Sequence, residues 1–119
     1  MTTIQRRRVV ITGMGTVNPC GHSVAETWEA LLAGKNGIGP ITKFDTTDFA
    51  CKIAGQVKDF NPDLYIDRKE QKKMDIFIQF AMAAAQQAME DSGLTAVELS
   101  KAERERFGVV IGSGIGGLS

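Results

Sequence analysis

The sequence has little of what most metal and charge-driven sites are built from. Its 119 residues include one histidine and two cysteines, and 14 basic and 14 acidic side chains give a formal net charge of zero. A zinc site needs a full tetrahedral set of such ligands, so one histidine and two separated cysteines do not predict a metal site. Balanced charge creates no global field that would recruit nucleic acid or a membrane, so any electrostatic recognition must be local.

Long apolar runs are also absent. The basic residues 6–8 precede an apolar run, but that run stops at Thr12 after three residues, too short for the core of a signal peptide. No stretch approaches the length of a transmembrane helix. Cys20 and Cys51 could form one disulfide, yet two thiols suit a reducing compartment equally well. We therefore expect a soluble, cytoplasmic protein with at most one small domain.

The pattern of apolar residues predicts an α/β chain. Short apolar runs at 9–12 and 109–111 lead into glycines and are typical of buried strands. Alternation over 51–57 predicts a half-exposed strand. Helical periodicity predicts one helix over 23–34 and a longer one from 67 to about 91. Strands and helices in this alternating order favour an α/β fold.

The predicted helices have their own end signals. Two residue pairs have capping-box spacing: Ser23 with Glu26, and Asp67 with Glu70. Gly34 and Gly93 suit the left-handed conformation that ends many helices. The longer helix is apolar over most of its circumference, so we expect it to be buried between layers.

A glycine-rich loop at 112–117, GSGIGG, satisfies the G-x-G-x-x-G pattern of dinucleotide-binding loops. That fingerprint also requires the first βαβ unit, a following helix and an acidic residue about 20 positions further on. The loop instead follows the third predicted strand. The earlier pair, Gly13 and Gly15, has Asn18 where the third glycine should stand. Neither loop predicts a nucleotide, and no cofactor is predicted.

Cys20 and His22 lie two residues apart in a predicted turn and invite a thiolate–imidazole interpretation. No carboxylate nearby in sequence would orient the histidine. The favoured interpretation is a small buried thiol beside a surface histidine. Cys51 is expected to face the core from its strand.

A basic run, Arg68, Lys69, Lys72 and Lys73, occupies the start of the longer predicted helix. Cations are disfavoured there by the helix dipole, although Glu70 offsets part of the cost. Such a run either attracts an anion together with the free helix N–H groups or is an ordinary solvated helix face. The residues alone leave both interpretations open.

Five motifs, taken in order, cover residues 7–118 almost completely. They are RRVVITGMG, ETWEALLAGKNGI, FDTTDFACKIAGQVKDFNP, RKEQKKMDIFIQFAMAAAQQAMEDSGL and GVVIGSGIGGL. Together they resemble the N-terminal part of the β-ketoacyl-acyl carrier protein synthases, most closely type II.

The resemblance implies a thiolase-like fold, in which two related α/β halves with mixed sheets form a layered αβαβα stack. Family members are several times longer and work as homodimers. Residues 1–119 would form the N-terminal portion of the first half, incomplete in this chain and without a complete catalytic domain. In that fold, later sequence supplies strands between those predicted at 9–12 and 109–111, so this chain alone could not build its sheet.

The resemblance also implies an acyltransferase of fatty acid biosynthesis, which condenses malonyl-carrier protein with an enzyme-bound acyl group by a decarboxylative Claisen reaction. The family's nucleophilic cysteine, histidines and lysine lie beyond Ser119, so no catalytic residue is assigned and the 119 residues alone are expected to be inactive. Lys69, Lys72 and Lys73 match positions that dock the acidic acyl carrier protein. Ile115 matches a residue lining the acyl pocket near the dimer interface.

One alternative stays open. A non-catalytic, synthase-like protein of the chain-length-factor type would bind carrier protein or a sister subunit without performing the chemistry. A cysteine at the nucleophile position beyond Ser119, with two histidines downstream, would decide for the enzyme.

Overall fold

The computed structural model describes residues 7–117. Four helices are present in this part of the chain: α1 (Val24–Leu32), α2 (Arg68–Gln71), α3 (Ile76–Asp91) and α4 (Lys101–Glu105). They are accompanied by two short strands, β1 (Ile38–Pro40) and β2 (Ile53–Gly55), and by two 3₁₀ turns, Pro62–Leu64 and Leu94–Ala96.

Helix α1 begins and ends close to its predicted positions. The Ser23 side chain accepts a hydrogen bond from the backbone N–H of Glu26 at 3.2 Å, as a cap should. The Glu26 carboxylate accepts instead from the backbone N–H of His22, so only half of the predicted capping box forms. Gly34 follows the helix with φ of 67°, the left-handed conformation expected there.

The β1 and β2 strands form an antiparallel pair with Ile38 opposite Gly55 and Pro40 opposite Ile53. The strand predicted over 51–57 is therefore confirmed in its central part, and its partner β1 lies in a stretch for which no strand was predicted. Cys51 precedes β2 and is exposed, with its Sγ donating to the Ile53 carbonyl at 3.3 Å. The expectation that Cys51 faces the core is wrong, because β2 begins after it and does not set its direction.

The long helix predicted over 67–91 is interrupted. Residues 72–75 separate α2 from α3, and Asp75 is extended with ψ of 156°, which cannot continue a helix. Asp67 makes no side-chain capping hydrogen bond, so the second predicted capping box does not form. At the other end, Gly93 has φ of 72° and terminates α3 as expected.

The first glycine pair lets the backbone of residues 13–15 lie directly on α3. A Cβ placed on Gly13 would collide with the Ala88 carbonyl, and one on Gly15 with the Ala84 carbonyl. These glycines are therefore required for the close approach of backbone to helix. The small alanines of α3 complete the contact.

Polar side chains of α3 then fix this segment. The Asp91 carboxylate accepts from the backbone N–H of Met14 at 2.9 Å, and the Gln87 side-chain carbonyl accepts from that of Thr16 at 3.1 Å. The Gln87 amide also donates to the Tyr65 hydroxyl at 3.1 Å. Side chains from the helix thus replace the strand neighbour that the segment lacks.

Two predicted strands do not form. Within residues 7–117 the only sheet is the β1–β2 pair, and residues 9–12 and 109–111 form no regular secondary structure. Val9 is 91% exposed and Val110 is 99% exposed. A strand exists only through hydrogen bonds to a neighbour, and no neighbour is available here. The predicted burial of α3 is also wrong for this chain, since only Gln79 and Ala83 on that helix are buried.

The chain buries little apolar surface. Its accessible surface is 10120 Å², whereas a compact monomer of this mass exposes about 6,300 Å². Its radius of gyration is 18.5 Å, against about 13–14 Å for a compact domain of the same length. Ala30, Ile66 and Ala83 are the buried apolar residues among those described.

Candidate functional site

The basic segment, residues 68–73, comprises α2 and the turn that follows it. The structure separates these residues from the first turn of α3, which begins only at Ile76. The prediction that they start one long helix is therefore wrong, and with it the argument from that helix's dipole. Their charged side chains all lie in exposed positions. The segment remains a cluster of cations at the surface.

Only part of this positive charge is neutralised. The Arg68 guanidinium pairs with the Asp63 carboxylate at 2.6 Å, and the Lys73 ammonium pairs with Glu70 at 2.6 Å. Within residues 7–117, neither Lys69 nor Lys72 has a carboxylate at ion-pair distance. These two lysines are the cations available to an acidic partner.

Asp63 anchors the segment to the preceding 3₁₀ turn. Its carboxylate accepts from Arg68 Nε and Nη2, and from Gln71 Nε2 at 2.9 Å. The bond from Arg68, and then that from Gln71, holds the pKa of Asp63 below its usual value. The same pair raises the pKa of Arg68. Because the groups are exposed, the pair orients the segment more than it stabilises the fold.

Gln79 connects the basic segment to α3. Its Nε2 donates to the backbone carbonyls of Gln71 and Met74, at 3.3 and 3.2 Å. The side chain is buried, with the residue 9% exposed. Sequence reasoning missed Gln79, Gln71 and Asp63. The one available signal was an amide at position 79 within an otherwise apolar stretch of helix.

The second glycine loop lies at the same end of α3. A Cβ on Gly117 would collide with the Asp75 carboxylate, and one on Gly116 would lie 3.7 Å from the Phe77 ring. Gly116 has φ of 83°, and its N–H donates to Ser113 Oγ at 3.1 Å. The loop is thus folded on itself and set against the residues that begin α3.

Ile115 projects from this loop and is 81% exposed. The structure therefore places the second glycine loop, which carries Ile115, beside the N-terminal end of α3. The basic segment closely precedes that end of the helix in sequence. An acyl-pocket wall needs further groups around it, and in residues 7–117 Ile115 has none that enclose it. Its role stays a prediction.

Cys20 and His22 do not form a nucleophile–base pair. Both line an open groove of about 680 Å³ beside β1. Among the described residues no hydrogen bond joins their side chains. His22 packs edge-on against the Phe60 ring, with ring centroids 5.9 Å apart. Cys20 and His22 are both half-buried, so the expected surface histidine is instead a packed one.

Neither a metal site nor a membrane-spanning helix is found in the part of the chain that the structure describes. No three histidine, cysteine, aspartate or glutamate side chains gather to hold an ion within residues 7–117. In the same range, no helix is long and apolar enough to cross a membrane.

The comparisons with known proteins define the class. Residues 6–119 match the family model described as beta-ketoacyl synthase, N-terminal domain, and the chain belongs to this family. A solved structure described as the ishigamide ketosynthase/chain length factor superposes with a TM-score of 0.67 at 38% identity, covering 83% of this chain and 23% of that one. The fold is α/β and represents the N-terminal part of a thiolase-like architecture, as predicted.

Two of the most similar relatives are synthases of one type within the family. The 3-oxoacyl-[acyl-carrier-protein] synthase 2 of Coxiella burnetii is 53% identical over 115 residues, which cover 97% of this chain and 27% of that protein. The synthase of the same name from Synechocystis is 48% identical, with coverage of 99% and 28%. The chain therefore spans little more than a quarter of the length of these relatives. The prediction of the synthase family, most like type II, is confirmed.

Proposed function

We propose that this chain is the N-terminal part of a 3-oxoacyl-[acyl-carrier-protein] synthase of fatty acid biosynthesis. The whole polypeptide, meaning this chain with the sequence that continues it to family length, is an acyltransferase. It joins malonyl-carrier protein to an enzyme-bound acyl group with loss of CO2, works as a homodimer and acts in the cytoplasm. The observation that supports this most directly is the similarity of 97% of this chain to a synthase of that name, together with the family match of residues 6–119.

In this proposal, residues 1–119 supply the N-terminal portion of the first half and no catalytic group. Lys69 and Lys72, assisted by Lys73, receive the acidic carrier protein. Two exposed lysines without carboxylate partners in residues 7–117 support this assignment, as does the fixed segment that holds them. Ile115 lines the acyl pocket. Its loop is set against the beginning of α3, close in sequence to the basic segment.

The docking role is tested by reversing two charges in the whole polypeptide. In Lys69→Glu/Lys72→Glu, we expect kcat/KM for a carrier-bound substrate to fall about tenfold relative to that for a small thioester without carrier. Attraction between opposite charges accelerates encounter, so losing it should slow association. The remaining dependence on ionic strength should shrink, because fewer attractive pairs are left to screen. Steady-state kinetics over a range of salt concentrations measures both effects.

A matched control changes the same amount of charge elsewhere. Lys101 and Arg106 lie in exposed positions at the two ends of α4, and Lys101→Glu/Arg106→Glu has the same net charge as the test variant. We expect this control to keep the parent ratio of the two kcat/KM values. If the ratio of the two kcat/KM values falls equally in the test and control variants, the effect depends on total charge and not on the position of the lysines. No loss in the test variant would make the basic segment a solvated surface.

A chain-length-factor role is the second candidate, and the solved ketosynthase/chain length factor of similar fold favours keeping it. Such a protein would bind carrier protein or a sister subunit without condensing. Release of CO2 from malonyl-carrier protein by the purified whole polypeptide would support the enzyme. Release only after a separate synthase subunit is added would support the second candidate.

A further inference from the structure

The break between α2 and α3 leaves backbone groups that a continuous helix would have paired. Around it, Lys73 and Met74 donate to the carbonyls of Glu70 and Gln71, three residues back, in place of the regular four-residue spacing. The turn carries Lys72 and Lys73. A turn of this kind is held less firmly than a helix unless other groups satisfy its carbonyls.

Gln79 binds two carbonyls at this turn: that of Met74, and that of Gln71, which also accepts from the Met74 N–H. It lies one turn inside α3, and its Nε2 reaches back to the carbonyls of Gln71 and Met74, one on each side of the lysine turn. The residue is 9% exposed and has apolar neighbours in sequence on α3. An apolar side chain at this position would bury more favourably, so the amide is suited to the carbonyls it binds.

Gln71 continues the connection on the other side. Its Nε2 donates to Asp63 Oδ1 at 2.9 Å and to the Ile66 carbonyl at 2.7 Å, and Ile66 is itself buried. Arg68 binds the other oxygen of Asp63. Hydrogen bonds from two glutamine amides therefore connect the basic segment to the elements on either side. Gln71 connects it to the preceding 3₁₀ turn, and Gln79 connects it to α3.

We propose that Gln71 and Gln79 form a positioning brace that presents Lys69 and Lys72 as a fixed pair of charges to an acidic protein partner. This inference rests on the proposed docking function and adds that the segment's fixed geometry determines affinity. When the two lysines are already held in place, binding of the partner does not have to order them. The lower entropic cost of association makes binding tighter. In this proposal the two glutamines act through the position of the lysines and not through contact with the substrate.

The test uses the whole polypeptide with Gln79→Leu, which keeps the side-chain size and removes both donors. We expect KM for carrier-bound substrate to rise about three- to tenfold with kcat little changed, in keeping with the loss of two modest hydrogen bonds. The dependence on ionic strength should persist, because no charge has been removed. Gln86→Leu on the exposed side of the same helix is the matched control and should retain the parent KM.

Gln71→Leu provides an independent variant in case Gln79→Leu does not fold, and it should raise the same KM in the same range. If the Lys69→Glu/Lys72→Glu variant loses docking while neither glutamine variant does, the brace is refuted and the docking function stands. If none of the three raises KM, both proposals fail. Equal losses of kcat on carrier-bound and small thioester substrates would show that the glutamines only maintain the fold, and would overturn the brace.

Discussion

The basic segment and the two apolar segments, residues 9–11 and 109–111, behave in opposite ways in the same chain. The charged side chains of the basic segment are all exposed, yet the segment is held by hydrogen bonds from its own Gln71 to Asp63 and from Gln79 to two backbone carbonyls. The apolar segments have the composition of buried strands, yet they are exposed and unpaired in the described structure.

This difference shows which backbone hydrogen-bonding groups can be paired by residues nearby in the sequence. Helices, turns and caps satisfy their backbone groups with residues a few positions away. A strand requires a neighbour, and for residues 9–11 and 109–111 the local sequence does not contain one, unlike the β1–β2 pair. The surface that we propose for partner docking is therefore formed within this chain, whereas the sheet that these two apolar segments would join is not.

The largest expected effect concerns the isolated 119 residues. We expect no cooperative thermal transition, strong binding of a hydrophobic dye and a tendency to aggregate, because large apolar side chains and unpaired strand edges face solvent. Backbone amides of 9–11 and 109–111 should exchange freely in this chain and become protected in the whole polypeptide. A sharp cooperative melt from a dilute monomer would contradict the conclusion that the two apolar segments lack their sheet partners in this chain.

A smaller effect is expected at the glycine loop in the whole polypeptide. If Ile115 lines an acyl pocket, Ile115→Phe adds bulk that a packed wall absorbs poorly, at a cost of about 1–3 kcal/mol. Long acyl primers should then react about tenfold more slowly, which corresponds to about 1.4 kcal/mol, while short ones react nearly normally. Rates for a series of primer lengths measure this. Equal slowing at all lengths would assign Ile115 a purely structural role.

The smallest expected effect is a pH dependence of the basic segment, which arises from the Asp63 carboxylate. Its hydrogen bonds from Arg68 and Gln71 lower its pKa from 3.8 in the folded chain. A carboxylate with a lowered pKa contributes stability above its unfolded pKa, and this is lost as pH falls through the folded value. We therefore expect the segment to keep its arrangement at neutral pH and to loosen only in acid below about pH 3.8.

An NMR titration of the Asp63 carboxyl group measures this directly. In the whole polypeptide the midpoint should lie below 3.8 and move upward in Arg68→Gln, which keeps a polar side chain but removes the positive charge. A midpoint that is unchanged in Arg68→Gln would show that Arg68 does not set the environment of Asp63.

Several local features were predictable from the sequence because their causes lie within a few residues. Ser23 caps α1, and Gly34 and Gly93 take the left-handed conformation at helix ends, since glycine alone adopts it without a steric cost. The centre of the strand over 51–57 was predictable from its alternation. The family could be recognised because its motifs run through the whole chain in order.

Other features depended on contacts that no local pattern encodes. The interruption before α3 escaped prediction because residues 67–91 have continuous helical periodicity, while Asp75 is held extended. No role was predicted for Gln79, because its carbonyl partners, Gln71 and Met74, face it only once the chain turns between α2 and α3. The role of Gly13 and Gly15 became clear only from the α3 backbone lying against them.

The sequence by itself determined the family, the α/β class, both ends of α1, the Gly93 end of α3 and the positions of the basic residues. These follow from side-chain chemistry and short-range geometry. Only the tertiary structure decided which lysines remain unpaired by the carboxylates of residues 7–117, which amides fasten them, and where the second glycine loop lies. It also showed that residues 9–12 and 109–111 are not strands here, because strand formation depends on hydrogen-bond partners distant in sequence.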